Sequence, residues 1–437
     1  MEGVPLLIGK ARWVRMKVSS RVLVLAVAAT SFSGVALVFL PAPFLFVGTA
    51  WCLVFMYGFI AGTAGPPTKI LCWNVALCVG VCTVFEGYLW RDRARYAGDY
   101  TTYYFRDDDV LGYGPKKGVS ATAARYYGDD LVYSVRYTIN DQGLRITPPW
   151  TGGGDGPCVL FFGCSFPFGE GVEDAASMPY QVGLMTHGAY RVYNFGFHGY
   201  GPHHMLAALE SGIVSRIVEC KGPTFAIYQF IFGHIQRAAG LAIWDNSGPR
   251  YVLGPDGPVR YAGRNSDVNR WRQILQNQLH KSELYVRLVR GDGTYRDVRE
   301  ADVTLFIGIV RAAREAVGRL YPGSTFEVIV WDQPFADPER RHLRRAIRDL
   351  KQSGIRVHPW SDILPEFATN PARYYLDRRD GHPNATAHKL IAEYVTEKIL
   401  RSRSATGAAE RGRPDLGERQ SKDLFVRESE GGKGTRR

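Results

Sequence analysis

The sequence predicts an α/β protein: an αβα sandwich with a parallel central sheet, preceded by about three transmembrane helices and a small β-rich region. Three observations carry that prediction. From Val22 to Thr68 there is no Asp, Glu, Lys or Arg, a run too long for one bilayer crossing at about 20 residues per span. From Pro157 onward, apolar strand-length runs alternate with helical patterns, as a layered parallel sheet requires. One of those runs, Val159-Leu-Phe-Phe-Gly-Cys-Ser-Phe-Pro-Phe-Gly-Glu-Gly-Val172, ends abruptly at a Gly-Cys-Ser turn. It sets Ser165 at the C-terminal edge of the sheet, beyond which open α/β sheets bind their ligands.

The chain opens with a basic arm, 1–21, in which Lys10, Arg12, Arg15, Lys17 and Arg21 face a single Glu2. That asymmetry favours a cytoplasmic N-terminus. A membrane domain is expected over 22–90. Pro41-Ala-Pro43 breaks the uncharged run into spans at about 22–40 and 44–63, because proline removes a backbone donor and ends helices. A third span, Ile70 to Trp90, follows Pro66-Pro67 and Lys69 and ends on Tyr88 and Trp90, residues suited to the interface; Asn74 and Glu86 are its weak points. No small-residue cleavage pattern precedes the second span, so the first is read as uncleaved. Three crossings place residue 91 onward outside, although Arg91, Arg93 and Arg95 pull mildly the other way.

Residues 91–156 read as a linker and a small β-rich region, with alternation in Leu131–Ile139 closed by the turn Asn140-Asp-Gln-Gly143, and with no chemistry that can be named. Thr151 to Pro157 is a Gly-rich joint. The sheet domain is expected over 157–400, with strands at 158–162, 191–195, 225–231, 325–331 and 355–359. Helices are expected at about 177–187, 202–218, 300–319, 337–353 and 383–401. An insertion, 244–298, holds a hairpin at Tyr251–Tyr261 and a polar helix with Trp271; it is either a lid over the cleft or a peripheral decoration. The tail, 401–437, is rich in charge and poor in apolar residues and is read as disordered.

The formal charge of +12 does not point to nucleic acid, since much of it sits in the arm and tail and no base-stacking or groove-reading motif accompanies it. Attraction to a lipid bilayer accounts for it more simply. Of seven cysteines, Cys158, Cys164 and Cys220 fall outside the expected spans. An odd set of three is no disulfide framework, so each is expected to be an unpaired thiol.

The second chemical block lies far downstream. Asp380-Gly-His-Pro-Asn-Ala-Thr-Ala-His388 opens an amphipathic helix and sets a carboxylate two residues from an imidazole. Together with Gly163-Cys164-Ser165 and Asn194-Phe-Gly-Phe-His-Gly-Tyr-Gly201, it resembles the SGNH/GDSL family of serine esterases and O-acyltransferases, over about residues 157 to 400. The resemblance implies Ser165 as nucleophile, His382 as base and Asp380 as the orienting acid, with Asp377 as fallback because the usual acid position is Arg379. It implies an oxyanion hole from the N–H groups of Ser165 and Gly199. The asparagine of the family's third block is missing after the strand Phe225–Ile231, and His234 is the candidate replacement donor.

The implied protein is a membrane-anchored esterase or acyltransferase with its catalytic domain outside the inner membrane. It acts on O-acyl groups, acetyl among them, of an envelope or exported glycan or related ester, beside other polysaccharide-assembly proteins and without cofactor or metal. The alternative is a catalytically weak member that binds glycans. Other candidates read more plainly. His198, His203 and His204 have no carboxylate at ligand spacing and more simply line the cleft or cap a helix. His388 packs, Glu170, Glu173 and Asp174 form a solvated turn, and Asp332 starts a helix.

Overall fold

The computed structural model describes residues 20–401, apart from 41, 61–65, 94–97, 101–102, 153–155, 221, 256, 269–274, 276–277, 280, 291–297 and 334–336. The charged tail after Arg401, the basic arm before Ser20 and the Trp271 position lie outside the described residues.

Three helices come first, Ser20–Phe39, Pro43–Ile60 and Pro66–Arg93. The second and third each start on a proline, whose fixed φ and missing N–H suit the first helical position. Two segments, Pro43–Ile60 and Lys69–Arg91, are long and apolar enough to cross a membrane. The expectation of about three spans is corrected to two plus one shorter apolar stretch, Arg21–Leu37. At 1.5 Å per residue that stretch reaches only about 25 Å, short of a hydrocarbon core of about 30 Å. Trp51 of the second helix donates its Nε1–H to Ser33 Oγ of the first at 3.3 Å.

Glu86 on the third helix is buried and bonded. Its carboxylate accepts from Ser282 Oγ at 2.9 Å and from the backbone N–H groups of Glu283 and Leu284 at 2.8 Å each. The polar residue that weakened the span is thus the seat on which part of the 244–298 insertion rests.

The central sheet has five parallel strands: β1 (Cys158–Phe162), β2 (Arg191–Asn194), β3 (Thr224–Ile231), β4 (Thr325–Trp331) and β5 (Arg356–Pro359). Their order is β5-β4-β3-β1-β2. Every residue of β1 and β3 is buried, as expected for strands covered on both faces. On one face, Leu160, Phe162, Tyr228 and Val328 pack with the helices Pro202–Glu210 and Glu300–Leu320. On the other, Val159, Phe161, Ile227 and Ile329 pack with Met178–Met185 and Ala385–Tyr394.

The helix expected over 202–218 is two pieces, because Gly212 at φ +78° ends the first and starts the second. Asp380 and His382 do not open the last helix; they lie on a short strand, Asp380–Pro383, paired with Tyr375–Asp377. Asn384 then caps the helix, its Oδ1 accepting from the Ala387 N–H at 3.0 Å.

Cys158 and Cys220 form a disulfide, with Cα atoms 6.0 Å apart. The expectation of unpaired thiols fails for these two because β1 and β3 are neighbours in the sheet, and Cys220 enters β3 where Cys158 begins β1.

Residues 105–146 also depart from expectation. A hairpin, Val119–Tyr127 with Asp130–Ile139, leads to Arg145, whose side chain is buried beneath the loop after Ser165. The guanidinium donates to the carbonyls of Phe168, Gly169 and Val172 at 2.5 to 2.7 Å and pairs with Asp174 at 2.9 Å. Buried and fully bonded, it holds the loop that carries the site.

Candidate active site

Ser165 follows β1 through a turn that only glycine can make. Gly163 sits at φ +145°, and a Cβ there would lie 2.9 Å from the Gln229 carbonyl. Ser165 then opens a one-turn helix, Ser165–Phe168, so its N–H is at a first helical position with no intrahelical acceptor. Asn194, at the end of β2, ties the segment 194–201 to this turn. Its Nδ2 donates to the Pro167 carbonyl at 2.9 Å and its Oδ1 accepts from the Gly196 N–H at 3.0 Å.

The structure brings Ser165, His382 and Asp380 together. Ser165 Oγ lies 2.8 Å from His382 Nε2, and His382 Nδ1 lies 2.5 Å from Asp380 Oδ1. Asp380 Oδ1 also accepts the His382 backbone N–H at 3.1 Å, fixing the carboxylate against the residue it serves. Asp377, the fallback acid, is turned away and bound by Arg379, whose Nε donates to it at 2.8 Å and holds its carboxyl below the usual range.

These groups open on a cleft of about 890 Å³ that Gly199 also lines. Gly199 has φ +73°, and a Cβ there would meet Tyr113 Oη at 2.5 Å and Trp244 Nε1 at 2.8 Å. Only glycine fits between those two rings.

His234 is not in this cleft. It is fully buried, with Nδ1 2.6 Å from Tyr228 Oη and no partner on Nε2 among the described residues. Burial pushes its pKa well below the ordinary histidine value. The helix that begins at Gly233 turns the imidazole inward, so the expected replacement donor becomes a core residue.

Glu170 moves the other way. Expected in a solvated turn, it lines the cleft. Its Oε2 lies 2.6 Å from His198 Nδ1 and 3.5 Å from His382 Nε2, and Tyr104 Oη lies 2.7 Å from His198 Nε2. Burial would raise the Glu170 carboxyl, but His382 and His198 beside it outweigh that and hold it well below the carboxylate range. Glu173 and Asp174 are bonded as well, accepting from the backbone N–H groups of Arg136 at 3.2 Å and Thr138 at 3.1 Å.

A carboxylate also reaches the neighbouring histidines, contrary to the spacing argument. Asp245, from the insertion, meets His203 and His204, and one ligand atom of each lies within 4.8 Å of the others. The distances are 2.7 Å from His203 Nε2 to Oδ2 and 3.3 Å from His204 Nε2 to Oδ1. The His204 ring accepts the Gly201 N–H on Nδ1 at 3.2 Å, which puts the proton of a neutral ring on Nε2, facing Asp245. A metal on Nε2 would need the lone pair that this tautomer lacks. The hydrogen bond from His203 to Asp245, with His204 beside it, therefore works as a clamp, fastening the turn 243–248 to the helix Pro202–Glu210.

The described part of the insertion is divided between the cleft and the flank of the domain. Trp244 and Ser247, beside Asp245, line the cleft. The hairpin Pro249–Leu253 with Val259–Arg264 instead packs on the side, with Tyr251 Oη donating to Glu210 Oε2 at 2.7 Å. The base of the insertion is a wall, and its hairpin is peripheral. His388 packs as expected, its Nδ1 accepting the Met178 N–H at 3.1 Å, and Asp332 caps the turn at Ser361.

No family model matches this sequence, and no curated protein matches it. Among solved structures the chain is similar to a lipolytic protein of the G-D-S-L family from Veillonella parvula, with 13% identity, 56% of this chain and 99% of that one covered, and TM-score 0.34. It is also similar to a family two carbohydrate esterase from Clostridium thermocellum in complex with cellohexaose, with 12% identity, 60% and 67% covered, and TM-score 0.32. A third is an acetyl xylan esterase from Butyrivibrio proteoclasticus, with 9% identity, 65% and 75% covered, and TM-score 0.32.

Proposed function

We propose that this chain is a membrane-anchored serine esterase or O-acyltransferase acting on O-acyl groups of an envelope or exported glycan, or a related ester. The observation that carries the reading is the contact line Ser165 Oγ, His382 Nε2, His382 Nδ1, Asp380 Oδ1, with steps of 2.8 and 2.5 Å, open to a cleft. A nucleophile bonded to a base that is oriented by an acid is the arrangement acyl transfer requires.

In this reading Ser165 Oγ attacks the acyl carbon as its proton passes to His382 Nε2. The N–H groups of Ser165 and Gly199 hold the oxyanion, and Asp380 stabilises the imidazolium. The leaving alcohol takes the proton from Nε2, and an acyl-Ser165 ester remains. Water or an acceptor hydroxyl then gives its proton to Nε2 and takes the acyl group, and Nε2 returns that proton to the leaving Ser165 Oγ. Phe105, Tyr113 and Trp244 line the same cleft and offer flat apolar faces suited to a sugar ring.

The outward topology is supported by the Cys158–Cys220 disulfide, since such bonds persist in oxidising compartments. With two crossings, the chain before Pro43 lies on that same outer side.

The test is turnover of p-nitrophenyl acetate by the full-length protein in detergent. Wild type should turn over, Asp380→Asn should lose about 10²-fold or more in kcat, and Asp377→Asn should stay within a few fold. A larger loss at Asp377 would reassign the acid. The second reading, a glycan-binding module of the same fold, is favoured by the sealed His234, the residue expected to supply a third oxyanion donor. Sugar binding with no turnover by wild type would select it.

A further inference from the structure

We propose that Glu170 is a second carboxylate of the site, facing the Nε2 edge of His382, so that the imidazolium formed when Ser165 gives up its proton is held between two carboxylates. The inference rests on the acyl-transfer reading for its meaning but on geometry for its content. Glu170 Oε2 is 3.5 Å from the same nitrogen that lies 2.8 Å from Ser165 Oγ, while Asp380 occupies the opposite nitrogen at 2.5 Å.

Glu170 is held on both its backbone and its side chain. Its own N–H donates to the Ser165 carbonyl at 2.9 Å, Arg145 grips the Gly169 carbonyl before it, and the Gly171 N–H after it donates to Tyr137 Oη at 2.8 Å. The side chain is fixed by a relay in which Tyr104 Oη donates to His198 Nε2 at 2.7 Å and His198 Nδ1–H donates to Glu170 Oε2 at 2.6 Å. Tyr133 Oη adds a bond to Oε1 at 3.4 Å. A relay running in that direction fixes the tautomer of His198 and leaves the negative charge on Glu170, aimed at His382.

The consequence follows the proton. When Oγ bonds to the acyl carbon, it becomes an ether-type oxygen of the tetrahedral intermediate and a poorer acceptor, so the new Nε2–H loses its partner. Glu170 is the nearest acceptor until the leaving alcohol takes that proton. Desolvation in the cleft disfavours a charged His382, yet Glu170 and Asp380 outweigh it and raise the imidazole above its ordinary value. Arg125, from the strand Val119–Tyr127, opposes them, and His382 in turn helps to hold His388, on the last helix, neutral. The Phe166 ring packs on the imidazole and carries no charge, with centroids 5.5 Å apart. Glu170 is thus a positioning residue that sets how basic His382 is.

The experiment follows His382 directly, by 13C-histidine NMR titration of the full-length protein in detergent, in a Ser165→Ala background and with the signal assigned by its absence in His382→Gln. Glu170→Gln should move the His382 midpoint to lower pH, and an unchanged midpoint overturns the proposal. If Glu170→Gln loses its folded spectrum, Glu170→Asp and Tyr104→Phe decide: a downward midpoint in either supports the proposal, and none in both refutes it. Because this titration needs no turnover, its failure and a failure of the esterase reading are separable. With Ser165 restored, Glu170→Gln should lower kcat about tenfold at neutral pH, while the acid limb of its profile moves to lower pH. A uniform loss at every pH, without movement of that limb, would make Glu170 merely structural.

Discussion

Two of the molecule's histidine–carboxylate clusters are wired in opposite ways. In the open cluster, His382 sends one nitrogen to an acid and the other to a hydroxyl, with a quarter of its side chain exposed. In the sealed cluster, His203 and His204 both turn Nε2 toward the one carboxylate of Asp245, and none of the three side chains is more than 1% exposed. A ring with different partners on its two nitrogens can move a proton from one role to another. A pair of rings that share a single acceptor can only hold it in place.

The largest expected effect tests whether the open cluster acts as one unit. Ser165→Ala and His382→Ala should each lower kcat by about 10⁴-fold or more, and the double variant should be hardly worse than either single one. Thermal denaturation should shift little, because His382 lies at the cleft surface. Additive losses, or retention of more than about a tenth of wild-type activity, would sink the assignment.

The sealed cluster should answer through stability instead. Asp245→Ala leaves the buried His203 Nε2–H without its acceptor and should cost about 1–3 kcal/mol, measured by chemical denaturation. The pH dependence has a definite sign. Burial pushes His203 down to about 4 and His388 down to about 3 from an ordinary 6.5, so in the folded protein they stay neutral where the unfolded chain takes up protons. Stability should therefore fall as pH drops below about 6.5 toward the folded values. His382 contributes with the opposite sign: its raised value favours the fold at low pH, and that share is lost as pH rises through the folded value. Stability that does not fall below pH 6.5 would remove the claim that these rings are buried neutral.

How much of this was legible in the sequence depends on the range of the signal. Ser165, Asp380 and His382 were readable because each sits in a short block whose spacing is itself the signal, and the strands Cys158–Phe162, Thr224–Ile231 and Thr325–Trp331 because buried runs of β-branched and aromatic residues stand out without any partner. Asp245 was not, since it reaches His203 from 42 residues away through an insertion with no periodicity. Arg145 and Tyr104 were missed for a related reason: the region before the sheet looked chemically silent, and only the fold wraps it under the Ser165 loop. Glu170 was misjudged because acidic residues in a Gly-rich turn usually face water. His234 misled by proximity in sequence, as its helix turns the ring into the core.

A smaller effect concerns the disulfide. Cys158 is at the start of β1, the end away from Ser165, so Cys158→Ser with Cys220→Ser should cost about 2–4 kcal/mol of stability and leave kcat unchanged. The same pair reports compartment. Alkylation of intact cells before lysis should leave both thiols protected until reduction. Free thiols at that stage would put the sheet on the cytoplasmic side.

The smallest effect lies where the two clusters meet. Asp245 belongs to the sealed cluster and the adjacent Trp244 to the open cleft, where its Nε1 would be 2.8 Å from a Cβ on Gly199. If the clamp exists to hold that indole as a wall, Trp244→Ala should raise KM for a sugar ester about tenfold while kcat changes by less than threefold, because the ring binds ground state and transition state alike. Asp245→Asn, folded but with the clamp loosened, should raise KM in the same direction by a smaller factor. Equal KM in all three proteins would mean that the sealed cluster serves the fold alone.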